Sequence, residues 1–345
     1  MAAPSLKKIA YHTLQQGKTI AGLAHKELST KLMEVFAPEA APGKFPIDKK
    51  LIKEVRLSME NLERVDWQEA EAGIYPKSQL FEAPWLEWAK KYPLVWLDMP
   101  RTWARRKKNK TRELPRNVNE EDYPSYYLQN FHHQTDGYLS EHSAEIYDLQ
   151  VEILFNGTAD SMRRRVLAPL KRGLKKYLSD PSKKVKVLDI ATGTGRTLQQ
   201  IQSALPDVEL YGLDLSGSYL KQASKYLGSR SGDLVQLTKG NAEKMPYASS
   251  SFQALTCVFL LHELPREARQ NVLKECFRLL EPGGTLVLAD SIQIEDSPKF
   301  ISIMENFHKI FHEPFYRDYI VDDINSRLEE SGFSSITSES HFMTK

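Results

Sequence analysis

Cysteine is nearly missing from this chain. Cys257 and Cys276 are the only two thiols in 345 residues, too few for a disulfide framework or a zinc knuckle, and they suit a reducing cytoplasm. Excess charge of one sign is missing as well: 47 lysines and arginines face 45 aspartates and glutamates, a formal +2, so no overall field asks for a polyanionic partner. No apolar run approaches the ~20 residues needed to span a bilayer. The opening stretch, MAAPSLKKIAYHTLQQGKTIAGLAHKEL, has no secretory hydrophobic core; it is poor in acids before Glu27, as transit peptides are, but has no arginine. It reads as a plain amphipathic helix.

What is present is ordinary globular material, 41% hydrophobic and 27% charged, enough for one large domain or two. Its distribution is uneven. All the tryptophans (Trp67, Trp85, Trp88, Trp96, Trp103) fall early and both cysteines fall late, which divides the chain into a mostly helical, tryptophan-rich part at 1–140 and a second domain at 141–345. A helix is predicted to about residue 36, a proline-glycine linker over APEAAPGKFP (37–46), and a second helix over 49–66. The aromatic, proline-punctuated segment 75–103 is predicted irregular, its tryptophans packing locally or serving a partner or pocket lid. RRKKNKTR (105–112) reads as a solvated loop; stacking aromatics do not interleave with it, so it does not favour nucleic acid.

From Glu141 the pattern changes. EHSAEIYDLQVEILFNG spaces Ile146, Leu149, Ile153 and Leu154 as a helix does and stops at Gly157, and a second helix is predicted through SMRRRVLAPLKRGLKKYL. Short apolar strands at 185–190, 208–214, 234–239, 254–261, 285–290 and 335–339 then alternate with helices near 197–204, 218–227, 266–280 and 321–330. Strands this apolar need cover on both faces, which predicts an α/β fold built on a parallel sheet. Right-handed crossovers place its functional loops at the carboxyl ends of the strands.

VLDIATGTGRT (187–197) runs one such strand into a glycine-spaced turn. A dinucleotide fingerprint wants a third glycine or alanine where Leu198 stands, and a phosphate-binding P-loop needs Gly-Lys-Ser/Thr at a spacing this turn lacks. The turn therefore fits an adenosine ligand that lays no pyrophosphate on the helix terminus. Asp214 closes the next strand, LYGLDLS, beside the turn and placed to accept hydrogen bonds from both hydroxyls of a ribose. The third strand leads to GNAEKMPYASSSF, with Asn241 and Ala242 where an adenine edge would lie. The fourth exits into FLLHELP, and LLEPGGTLVLAD carries the fifth.

This ordered set resembles the class I S-adenosylmethionine-dependent methyltransferases, in particular the small-molecule branch of ubiquinone/menaquinone-type C-methyltransferases, over about residues 183–340. The resemblance implies a Rossmann-like sheet of parallel strands with an antiparallel last strand. It implies S-adenosyl-L-methionine as cofactor and S-adenosyl-L-homocysteine as product. Asp189 would orient the methionine ammonium, helped by the Ala191 carbonyl region. Gly193 and Gly195 would let backbone approach the methionine and ribose. Asp214 would hold the ribose hydroxyls, Leu215 would pack on one adenine face, and Asn241 and Ala242 would meet the adenine amine and ring. Asn241 stands where an aspartate is more usual and Ala191 where many members have glycine. After a sixth strand at 335–339 only His341–Lys345 remains for the last, which is expected to be very short or missing.

Methyl transfer asks for a base only where the acceptor keeps its proton. His262, leaving the fourth strand, is the first candidate, with His133 and Tyr138 in QNFHHQTDGYLSEHSAEIYD next. No metal site is expected: the histidines have no partnering acid or cysteine spacing, and HKIFHE is not His-Glu-x-x-His. Phe300, Ile303, Met304, Phe307 and Phe311 form the apolar stripe of a helix that either packs normally or lids a flat acceptor. The expected partner is a small-molecule acceptor, and a homodimer or protein partner through the N-terminal region stays open. Two other readings stand beside it: a methyltransferase-like partner-binding or regulatory protein, and a methyltransferase acting on RNA or protein. Against the last, FLLHELP lacks an Asn-Pro-Pro-Tyr type sequence.

Overall fold

Contacts divide the chain into one unit of Met1–Met162 with Lys309–His312, and a second of Arg163–His308 with Glu313–Lys345. The computed structural model describes residues 5–41, 48–180, 182–228 and 234–345.

The first unit is helical. Helix α1 (Leu6–Phe36) starts where the Ser5 side chain accepts the Lys8 N–H, and α2 (Lys49–Glu71) where Asp48 accepts the Leu51 N–H. Of the expected linker, Pro38–Ala40 forms a single 3-10 turn and residues 42–46 lie outside the described residues. Of the segment expected to be irregular, residues 75–84 hold only a 3-10 turn (Lys77–Phe81), whereas from Trp85 on it is α3 (Trp85–Lys108), with Pro93 and Pro100 inside it. Packing overrides the two prolines here. Trp88 and Val95 lie on one face and bury against Ile146 and Leu149 of α4 (Glu141–Leu154). That cluster also explains why α4 groups with the first unit. Arg105–Lys108, expected in a loop, form the last turn of α3, where cations meet the negative end of the helix dipole. Around Trp67, the hydroxyls of Tyr11 and Tyr75 both donate to the buried Asp66 carboxylate, each at 2.7 Å. The predicted helix through 161–178 is broken. The chain passes through α5 (Ala159–Arg163) and a 3-10 turn before α6 (Leu167–Leu178).

The second unit is the α/β domain. After α6, β1 (Lys186–Ile190), α7 (Arg196–Ala204), β2 (Glu209–Asp214), α8 (Gly217–Gly228) and β3 (Gln236–Lys239) build one half. β4 (Phe252–Val258), α9 (Arg266–Leu279) and β5 (Leu280–Ala289) build the other, followed by α10 (Ile301–Ile310), α11 (Tyr316–Tyr319) and α12 (Ile324–Glu330). The sheet order is β3-β2-β1-β4-β5, with every pairing parallel. Val187, Leu188, Ile190, Ala254, Leu255 and Cys257 are all buried, the continuous apolar pattern of a sheet covered on both faces. The order reverses between β1 and β4, and a ligand crevice is expected outside the carboxyl ends of those strands.

The α/β class with a helical N-terminal part is as predicted, but the sixth strand is not. Residues 335–339 are without strand structure: this serine-rich stretch stays largely solvent-exposed, and Ser335 takes a left-handed φ of 58°. The antiparallel last strand is reduced to the final residues. Asp290 and Lys345 exchange backbone hydrogen bonds, and the Ile292 N–H donates to the Met343 carbonyl.

Candidate cofactor-binding site at the carboxyl end of the sheet

Two buried carboxylates close β1 and β2. Asp189 accepts hydrogen bonds from the Thr192 hydroxyl at 2.7 Å and the Thr256 hydroxyl at 2.6 Å, tying the glycine turn to β4, its in-register neighbour. Burial raises its pKa to about 7 against those hydrogen bonds, and the nearby Asp214 charge adds to the rise. Asp214 accepts the backbone N–H groups of Gly193 and Ser216, each at 2.8 Å. Burial lifts it to about 6, opposed by those amides and assisted by the Glu263 charge. The domain thus bears the cost of two desolvated acids a turn apart, as structures do where a ligand supplies the missing partners.

The turn between them is conformationally costly too. Ala191, Gly193 and Gly195 have φ of 54°, 55° and 84°, all left-handed. Alanine at 191 therefore carries strain that glycine would not, which is the physical content of its departure from the family pattern. The two glycines differ. A Cβ on Gly195 would come within 3.2 Å of the Ala223 and Leu227 side chains, so this position serves packing of α7 on α8. A Cβ on Gly193 would meet nothing nearer than Tyr219 at 4.0 Å, so one side of the turn is open. The open backbone at 193 fits S-adenosylmethionine, and so does the Asp214 carboxylate, which closes β2 beside that opening, tied to the turn by the Gly193 amide.

Around this centre the Thr192 N–H donates to the Leu213 carbonyl and the Gly240 N–H to the Asp214 carbonyl, drawing the exits of β1, β2 and β3 together. Leu215 is half-buried beside Asp214. Asn241 and Ala242 are half-buried at the exit of β3, but the Asn241 side-chain oxygen already accepts the Glu243 N–H at 2.8 Å. That oxygen caps a local turn, so the Asn241 amide hydrogens are the group it can still offer an adenine edge.

His262 lies in the 3-10 turn after β4, buried, with its Nδ1 donating to Asp290 at 2.6 Å. Burial disfavours its charge, but Asp290, by charge and by hydrogen bond, together with Glu263 and Glu313 outweighs burial and raises the pKa to about 9. Asp290 thus favours the protonated ring over the neutral one that a base at this position would need. Asp290 also accepts the N–H groups of Leu261 and Ser291, so one carboxylate pins the loop after β4 to the end of β5. That pair was missed in sequence, although an acid closing β5 opposite a histidine closing β4 is its signal. Also missed was Arg269, fully buried, which donates to the Leu261 carbonyl and to Asp318 and Asp322 and so ties α9 to the segment carrying α11 and α12.

His133 and Tyr138 belong to the first unit and His262 to the second. His133 is buried, its Nδ1 has no hydrogen-bond partner among the described residues, and its backbone is left-handed at φ 56°. Burial lowers its pKa to about 4, with the neighbouring His312, Arg106, Arg105 and His132 charges adding to the fall, so it is neutral at pH 7. Tyr138 stacks on Phe131 with ring centres 5.4 Å apart. The basic run behind the macromolecular reading is largely spent: Arg105 is buried and donates to the His133 carbonyl and the Thr135 hydroxyl, while Lys107, Lys110 and Arg112 each pair with a glutamate.

Residues 187–284, which contain both carboxylates, the turn and His262, match the family described as Methyltransferase domain. A demethylmenaquinone methyltransferase of Thermotoga maritima is 31% identical over 51% of this chain and 70% of its own length. The ubiquinone/menaquinone biosynthesis C-methyltransferase UbiE of Desulfotalea psychrophila is 32% identical over 42% of this chain, which spans 53% of that relative's length. Among solved structures, the PH0226 protein of Pyrococcus horikoshii aligns at a TM-score of 0.33 and 26% identity, covering 42% of this chain and 59% of that one. The Thermotoga relative is matched across more than two thirds of its length, and the glycine turn sits inside the matched domain; on that ground the chain belongs to the class I S-adenosylmethionine-dependent methyltransferase family, whose methyl donor is S-adenosylmethionine.

Proposed function

We propose that this protein moves the methyl group of S-adenosylmethionine by in-line displacement onto a small, ring-bearing organic acceptor of the quinone-precursor kind that its relatives' names describe, releasing S-adenosylhomocysteine. The observation that carries the reading is the pair of buried carboxylates, Asp189 and Asp214, flanking the left-handed turn at the switch point. When bound, S-adenosylmethionine supplies a sulfonium methyl reactive enough that the protein contributes mainly position and dryness. Asp189 orients the amino-acid end, with the Ala191 carbonyl beside it. The Gly193 and Gly195 backbone makes the close approach, Asp214 holds the ribose, Leu215 covers the adenine, and Asn241 and Ala242 face its edge. His262, held as an imidazolium by Asp290, favours negative charge developing on an acceptor oxygen. His133, which burial keeps neutral at working pH, and Tyr138 are the first unit's candidates for taking a proton from the acceptor.

The experiment is product formation across a panel of hydroxylated aromatic and quinol acceptors, with Asp214→Ala as the inactive control. The reading expects at least one acceptor methylated by the wild type and none by the variant. Cofactor binding without turnover on any acceptor would instead favour the regulatory reading. A His133→Gln variant that keeps full kcat at every pH would remove that residue from the mechanism.

A further inference from the structure

Helix α3 carries both sequence features that the methyl-transfer site leaves unused, the tryptophan-rich segment and the basic run. Its buried side is accounted for by Trp88 and Val95 against α4. Its other side faces solvent. Leu86, Lys90, Pro93, Leu97, Arg101, Ala104 and Lys108 follow one another at three- and four-residue steps and are all exposed, with Leu86 at 81% and Leu97 at 72%. Trp85 and Tyr92 are also partly exposed beside this stripe. No acid interrupts the stripe: Glu87 lies off it and pairs with Lys91, and Asp98 is buried. Helix α1 meets α3 where His25 Nδ1 bonds the Tyr92 hydroxyl at 3.1 Å, and the 3-10 turn after α1 meets it through the ion pair of Glu39 with Lys107. Helix α1 adds the exposed Leu28 and Val35 on its own solvent side.

Single exposed leucines need no explanation, but a stripe of about seven positions along roughly 33 Å of helix, alternating aliphatic and cationic side chains, does. We propose that this face of α3 docks on an anionic lipid surface, the leucines entering the headgroup boundary and Lys90, Arg101 and Lys108 meeting the lipid charges. Charge decides among the occupants. A second copy packed on the same face would set cations against cations. RNA would use the cations but leave Leu86 and Leu97 in water. An anionic bilayer uses both, and tryptophan and tyrosine at the rim suit the interfacial layer. The proposal is independent of the acceptor's identity.

The test is co-sedimentation of the full chain with vesicles of phosphatidylcholine alone or mixed with phosphatidylglycerol, at low and high salt. Binding is expected to the anionic vesicles at low salt, at least about tenfold tighter than to neutral ones, and weakened by salt. Leu86→Glu with Leu97→Glu, and separately Lys90→Glu with Arg101→Glu, should each weaken it at least about tenfold. Helical circular dichroism and the binding of S-adenosylhomocysteine should both stay unchanged, which shows that the variants fold in both units. Equal affinity for both vesicle types, or indifference to both double substitutions, overturns the proposal. So does retention of RNA without vesicle binding, or a dimer that Leu97→Glu dissociates while vesicles are ignored.

Discussion

Replacing Asp290 by asparagine removes the charge that keeps His262 protonated. The ring is buried, so its ionisation is a property of the fold. In the wild type its pKa stands at about 9 against an ordinary value of 6.5. At about 1.36 kcal/mol per unit, the difference is worth roughly 3 kcal/mol of stability. The folded pKa is the higher one, so that stability is fully present below pH 6.5, declines above it and is gone once the pH passes about 9. In Asp290→Asn only the Glu263 and Glu313 charges still oppose burial, so the histidine should fall back toward its ordinary value. The gap in urea stability between wild type and variant should therefore shrink by roughly 3 kcal/mol from pH 6 to pH 10. What remains at high pH reflects the weakened bonds to the Leu261 and Ser291 amides. Histidine ring carbon–proton spectra, with His262→Gln to assign the signal, give the two pKa values directly. A gap that stays constant with pH, or a His262 that titrates near 6.5 in the wild type, refutes the reasoning.

Other expectations follow from the same site. Asp189 and Asp214 titrate at about 7 and about 6 without ligand, and both must be ionised to hold an ammonium and a ribose. Calorimetry should show S-adenosylhomocysteine binding at least about tenfold more tightly at pH 7.5 than at pH 5.5; a flat profile would contradict the roles given to both. Ala191→Gly should stabilise the domain by about 1 kcal/mol by relieving a left-handed alanine, whereas Gly195→Ala should destabilise it by about 2 kcal/mol against Ala223 and Leu227. Thermal melts of the two variants should move in opposite directions. Arg269→Met strands the buried Asp322 beside one remaining partner, Arg327, and should cost about 3 kcal/mol in urea denaturation.

The cofactor half was readable because its chemistry is local. Glycines that need positive φ, an acid one strand later and apolar strands each leave a mark at fixed spacing, and Asp189, Gly193 and Asp214 lie where that spacing put them. Other features depend on groups far apart in sequence. His262 looked like a base because nothing near it in the chain announces Asp290, 28 residues on, whose charge decides the protonation state. The irregular reading of 75–103 followed from four prolines, and from Trp85 onward it failed because Trp88 and Val95 find Ile146 and Leu149 on another helix. The sixth strand failed for the reverse reason: in SSITSES only Ile336 is apolar, so the stretch has no apolar face to bury. Arg105, read as solvated with its neighbours, is turned inward by the His133 carbonyl and the Thr135 hydroxyl.

The central claim is that the adenosine sugar is gripped by the carboxylate that ends β2. Titration of S-adenosylhomocysteine into wild type and Asp214→Ala, with NADH and ATP as comparison ligands, tests it most directly. The account predicts saturable binding by the wild type, a loss of at least about a hundredfold in the variant, and no competition from either comparison ligand. Equal affinity in the two proteins, or preferential binding of NADH or ATP, would contradict it.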